Sequence, residues 1–271
     1  MAFPSHGVTH RSTVTGRRGL VASAHPLASL AGVRVLLDGG NAIDAAVATA
    51  AALNVVEPYM SGIGGVGYMH IYSARDNEHK ICDYVGLTPA ATDIKLFTED
   101  AQQERGPMSP LVPGACAGWL EALRRYGSMD AADVFAPAIE LAEGGFPLTV
   151  KNSWFFSGAV NDLRKFPSSA STYLIDGHAP KPGEVLVQED LAETFRTVAA
   201  EGPDVFYGGA IGDVIWITWT RLGAGHPGSE RWSRRTETGG GFLTYEGPHI
   251  IDQLRWLAGS DLDAAVTIGM G

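Results

Sequence analysis

The stretch from Gly39 to Gly67, GGNAIDAAVATAAALNVVEPYMSGIGGVG, constrains this chain more than any other. Asn41 precedes an alanine-rich helical pattern, and Asp44 stands three positions on. That is the spacing of a capping box, which satisfies the free N–H groups of a helix start. Ile43, Ala46, Val47, Ala50 and Leu53 or Asn54 recur at helical period and form the expected inward stripe. Small side chains let such a helix press its backbone close to a neighbour, and Pro58 stops it. A glycine cluster follows, in which Gly62, Gly64 and Gly67 spell G-x-G-x-x-G. A dinucleotide loop needs strand, glycines, then helix, because the helix N-terminus holds the pyrophosphate. Here a helix enters and a strand leaves. The glycines are therefore expected to permit positive φ and close backbone packing, or to form a loop lining an active site.

Around this stretch helices alternate with short strands. HPLASLAGVRVLLDGG predicts a helix with Pro26 in its first turn and Gly39 or Gly40 as its left-handed stop. YMHIYSARDNEHKICDYVG predicts a hairpin, Tyr68 to Ser73 and Lys80 to Val85, turning at Asp76 and Asn77. ACAGWLEALRRYG, DVFAPAIELAEGG and QEDLAETFRTVAAEG predict three further amphipathic helices.

With 271 residues, 45% hydrophobic and 18% charged, the chain can bury one large or two modest cores. A net charge of −10 opposes binding to nucleic acid, which needs clustered Lys and Arg. Cys82 and Cys116 form neither a disulfide framework nor a CxxC metal motif, and are expected to be idle or buried thiols. The apolar run from Ala42 to Val56 is too short to span a bilayer. The first residues lack the apolar core of a secretory signal, so a cytoplasmic setting is expected.

The stretch from Gly19 to Tyr72 resembles the N-terminal region of the γ-glutamyltransferase (γ-glutamyltranspeptidase) family. DYVGLTPAAT, VPGACAGWLEALRRYG, FAPAIELAEGGFPLT and PGEVLVQEDLAETFRTVAAEGPDVFYGGAIG follow in the family's order, so the resemblance runs over about residues 17–213. It implies an α/β (α+β) fold, part of the N-terminal-nucleophile hydrolase sandwich of two sheets between helical layers. Family precursors cut themselves into two subunits. The new N-terminal Thr of the small subunit attacks a γ-glutamyl amide, its α-amine acting as base and backbone amides holding the oxyanion. No metal or organic cofactor is required.

Two departures bear on activity. The family's Thr-bearing second half has no counterpart here, so none of Thr9, Thr13, Thr15, Thr88, Thr149, Thr218, Thr220, Thr236, Thr238, Thr244 or Thr267 is assigned as nucleophile. The family's D-x-R motif places an arginine on the substrate α-carboxylate, and in CDYVGLTP that position is Val85. Valine donates no such bond, which leaves γ-glutamyl binding unsupported and an acylase or amidohydrolase open. Asp83 and Tyr84 are expected at a strand end near the pocket.

Composition changes near residue 213: four of six tryptophans lie beyond it, and no lysine follows Lys181. From Ile211 the sequence resembles the C-terminal domain of the glucose–fructose oxidoreductase-like, NAD(P)-dependent family, through GGGFLTYEGPHIIDQLRWLAG. His249 matches that family's proton-transferring histidine, while Tyr245 replaces its aspartate. The expected organisation is a flexible N-terminus (1–16), a transferase large-subunit-like region (17–213) and an oxidoreductase-like α/β fragment (214–271). The first reading is a truncated or chimeric transferase, inactive alone, that meets an amide substrate only with a missing small-subunit chain. An NAD(P)-dependent oxidoreductase fragment using His249, or a non-catalytic interaction protein, are the alternatives.

Overall fold

The computed structural model describes residues 14–85, 95, 97–98 and 111–211. The chain opens with α1 (Pro26–Leu37) and α2 (Ala42–Val56), then the hairpin β1 (Tyr68–Ser73) and β2 (Glu78–Asp83). α3 (Ala115–Tyr126) and α4 (Ala131–Gly144) follow, with β3 (Phe146–Pro147), α5 (Val150–Leu163) and α6 (Pro167–Tyr173). β4 (Val185–Leu186), α7 (Glu189–Glu201) and α8 (Asp204–Tyr207) complete the described elements. β1 pairs antiparallel with β2, and β3 with β4.

Local signals set the helix ends. Pro26 occupies the first turn of α1, and His25 caps it by accepting the Leu27 N–H at Nδ1 (3.2 Å). Past its end Gly39 adopts φ 101°, a conformation that glycine takes without strain. Asn41 and Asp44 form the expected capping box of α2. α1 packs along α2 at very short range: a Cβ on Gly32 would stand 2.3 Å from Thr49 Oγ1.

The inward stripe of α2 is broader than its period predicts and rotated from it. Of the expected stripe Val47 and Asn54 are buried, Ile43, Ala50 and Leu53 half-buried and Ala46 exposed, whereas Asp44, Ala45, Ala48, Ala51, Ala52 and Val55 are buried as well. The reason is geometric: α1, α3 and α4 all pack on α2, so it has no single core face. The buried Asp44 carboxylate ties its first turn to the α3–α4 loop, accepting Ser128 N–H (3.1 Å) and Ser128 Oγ–H (2.6 Å).

The outer helices are joined by aromatic and charged contacts. Phe135 of α4 meets Phe195 of α7 with ring centroids 5.3 Å apart. Arg34 of α1 donates to both Glu140 carboxylate oxygens at 2.6 and 3.0 Å, pinning α4 from the other side. The second hairpin strand lies two residues earlier than expected, Glu78–Asp83 against Lys80–Val85. Asn77 turns the chain at φ 54°, and the Asp83 carboxylate takes the Val85 N–H (2.9 Å), so backbone pairing stops after the Tyr84–Gly67 pair. Among the described residues, no helix is long and apolar enough to cross a membrane.

Candidate functional site

The end of α2 is held by side chains from remote segments. Gln188 Nε2 donates to the Val55 carbonyl and Asn152 Nδ2 to the Val56 carbonyl, both at 2.8 Å. These are carbonyls that a helix C-terminus leaves unpaired. Asn152 Nδ2 also reaches the Tyr59 hydroxyl (3.0 Å), and the Tyr59 ring stacks on Phe155 at 4.2 Å. One buried asparagine thus fixes both the helix end and the first aromatic wall.

The glycine loop leaves from this anchor. Gly65 N–H donates to the Gly62 carbonyl (2.8 Å), and the Gly65 carbonyl accepts from Gly114 N–H (3.0 Å) and Ala115 N–H (2.9 Å). Gly114 is the N-cap of α3 and has no side chain to cap it, so the loop's backbone does so. The amides at the start of α3 face a protein carbonyl, in keeping with close backbone packing, but none of the loop glycines takes the positive φ also expected of them. A second cap comes from α8. The Tyr207 hydroxyl accepts the Ala117 N–H (3.1 Å) and donates to the Pro113 carbonyl (3.0 Å).

Tyr84 lies across these glycines. Its backbone pairs with Gly67, Tyr84 N–H donating at 3.0 Å. A Cβ on Gly118 would stand 2.6 Å from its ring and one on Gly114 2.0 Å from its carbonyl, so no other residue fits either place. Burial raises the Tyr84 phenol above its usual pKa, with a hydrogen bond to Trp119 pulling the other way.

Between the glycine loop, Tyr84 and α5 opens a cleft of about 1100 Å³. Its walls are Tyr59, Trp119, Trp154, Phe155 and Tyr173, with Gly62, Gly65 and Val66 along one side. Among the described residues, none that lines it carries a charged side chain. Burial pushes the Tyr59 and Tyr173 hydroxyls up to about 12, the Glu57 charge adding to the first. Both phenols stay neutral donors at physiological pH. Trp154 stands at the rim, 69% exposed.

Asp83 ends β2 and Tyr84 follows it into the cleft wall beside the glycine loop, while the aromatic wall of α5 has no counterpart in the sequence reading. The Thr149-x-x-Asn152 capping box that starts α5 was the signal for it. Val85 sits one residue beyond the cleft wall, half-buried. Cys82 and Cys116 are both buried free thiols, raised above their usual pKa by that burial. The hydroxyls of Thr49, Thr149, Thr172 and Thr194 are each engaged with helix backbone or a cap. His249, Tyr245, Thr9, Thr13, Thr88 and every threonine from Thr218 onward lie outside the described residues.

Comparison with known proteins gives a consistent picture. Residues 28–226 match the family model described as Gamma-glutamyltranspeptidase, and residues 204–269 match that of the GFO/IDH/MocA C-terminal domain. The chain is 42% identical over 217 residues to the Acylase ACY 1 proenzyme of Pseudomonas sp. (strain SE83), covering 76% of this chain and 39% of that protein. It is 38% identical over 214 residues to the Glutathione hydrolase proenzyme of Bacillus subtilis (strain 168), covering 74% and 35%. Among solved structures, the gamma-glutamyltranspeptidase of Helicobacter pylori superposes with a TM-score of 0.73 at 32% identity, over 77% of this chain and 62% of that one. The chain thus spans well under half the length of these two curated relatives.

Proposed function

The chain belongs to the gamma-glutamyltranspeptidase family, with its N-terminal-nucleophile hydrolase fold, and from that premise we propose that it supplies the acyl-receiving half of an amide-cleaving enzyme. The observation that carries this reading is the uncharged, aromatic-walled cleft beside Tyr84 and Val85. An α-carboxylate entering such a cleft would be desolvated without a cation among the described lining residues to pair with it, at a cost of several kcal/mol. The cleft suits an amide whose acyl group is apolar or neutral. Catalysis then needs a Thr nucleophile of the kind the resemblance implies for the family's second half, which the relatives carry in the length this chain does not match. The two buried free thiols fit a reducing, cytoplasmic setting.

The oxidoreductase-like segment is a joined fragment in this reading, whether by recombination or by misassembly of the sequence. Val205, Phe206 and Tyr207 are buried in the same core as α3 and α7, which supports a junction after Tyr207. Nicotinamide binding by the purified chain would favour the oxidoreductase alternative.

The test is complementation. The chain is mixed with the separately produced nucleophile-bearing half of the Pseudomonas acylase relative, and kcat/KM is compared for an apolar acyl anilide and a γ-glutamyl anilide. The apolar substrate is expected to be preferred, and Val85→Arg to shift preference toward the γ-glutamyl substrate by roughly tenfold or more, the worth of one charge-assisted pair. Preference for the γ-glutamyl substrate by the unaltered chain would overturn the assignment.

A further inference from the structure

The exposed face of the β1–β2 hairpin carries two histidines on neighbouring strands. His70 lies opposite Ile81 and His79 opposite Tyr72, which makes the two rings diagonal neighbours. His70 Nε2 and His79 Nδ1 are 3.0 Å apart, and the rings stack at 5.1 Å with 20° between their planes. Both residues are exposed.

We propose that His70 and His79 chelate a divalent transition-metal ion on the outer face of the hairpin. Two bonds of 2.0–2.1 Å to a tetrahedral centre hold their nitrogens roughly 3.3 Å apart, so the observed spacing needs adjustment of only ~0.3 Å. The rings must also turn until both lone pairs converge, which replaces the hydrogen bond between the two imidazoles and shifts the His79 ring against the Tyr72 ring 4.7 Å away. Imidazole donors select zinc, nickel and copper over magnesium or calcium, and copper binds most tightly in the divalent order.

The hairpin's carboxylates have other partners. Asp76 is bonded to Arg75 and Ser73, and Glu78 to Lys80 at 3.0 Å. Among the described residues no group of three or more His, Cys, Asp or Glu gathers, so water completes the coordination sphere. A two-ligand site is a modest binder that exchanges readily with its surroundings. Its mechanical effect is local: β1 leaves the glycine loop at Gly67 and β2 leads into Tyr84, so the ion ties together the two strands that frame the cleft wall. This site stands independently of the acyl-binding proposal.

The test uses the whole chain with any affinity tag removed. Titration calorimetry with ZnCl2, NiCl2, CuCl2 and, as a hard-cation control, MgCl2 is expected to give one saturable site for the first three and none for magnesium. His70→Gln and His79→Gln should each lower affinity by more than the roughly tenfold cost of losing a supporting second-shell partner. His178→Gln should leave it unchanged. Electron paramagnetic resonance of the copper-loaded chain should show two equatorial imidazole nitrogens, and one in either single variant, a readout unaffected by small losses of stability. Absence of saturable binding, or two-nitrogen spectra that persist in His79→Gln, would overturn the proposal.

Discussion

The ring of Tyr84 occupies the space that a side chain on Gly118 would need: a Cβ built there lies 2.6 Å from the ring carbons. The prediction is that Gly118→Ala forces the ring out of its bed. Overpacking of this kind costs about 1–3 kcal/mol. Urea denaturation should show that loss, and Tyr84→Ala in the same chain should remove most of it, a non-additivity expected of touching residues.

Asp44 is fully buried and serves two elements at once, accepting the Asn41 N–H (2.8 Å) in the capping box and Ser128 in the α3–α4 loop. Asp44→Ala strands these donors in the interior. With hydrogen bonds to a charged acceptor contributing about 1.5–3 kcal/mol each, the variant should lose about 3 kcal/mol or more. Thermal unfolding followed by circular dichroism measures it, and a loss comparable to an exposed cap would contradict this account of Asp44.

His25 is buried, and that burial lowers its pKa below the ordinary imidazole value, the nearby Glu57 charge offsetting part of the effect. Its Nδ1 accepts the Leu27 N–H, a bond that only the unprotonated nitrogen can make. The folded-state pKa is therefore lower than the unfolded one, about 6.5. The associated stability is fully present above that value and is lost as pH falls through the folded pKa. Denaturation at a series of pH values from 7.5 to 4.5 should show a falling limb that His25→Ser, which keeps a cap but does not titrate there, flattens.

Tyr207 bears on where the two sequence characters meet. Its hydroxyl bonds to Pro113 and Ala117 place α8 inside the transferase-like core, although the oxidoreductase-like match begins at residue 204. Tyr207→Phe leaves a buried carbonyl and an N–H at the start of α3 unpaired, and should cost about 1–3 kcal/mol. If α8 belonged to a separate unit, the same change would leave the unfolding of this core unmoved.

Much of this was legible in advance because it rests on local chemistry. Pro26 and Pro58 mark helix ends by their fixed φ and missing N–H, Asn41 with Asp44 by local hydrogen bonds, and the structure has those ends. The inverted order around the glycine cluster was equally local. The arc that α2 buries was not, since it depends on three helices arriving from residues 26 to 144. Nor was α5, whose mixture of Ser, Asn, Gly and aromatic residues hides any helical stripe, although its capping box was in plain sequence. The aromatic wall of the cleft depends on contacts such as the Asn152–Val56 hydrogen bond, which spans almost a hundred residues. Pairwise contacts at that separation leave no mark in one sequence.

The central proposal is that this polypeptide receives an acyl group but does not attack it. Intact-mass spectrometry of the purified chain after incubation with an activated apolar acyl ester tests this most directly. The account predicts an unchanged mass for the chain alone, with acylation appearing only on an added nucleophile-bearing partner. A stoichiometric acyl adduct on any side chain of the isolated chain would contradict it.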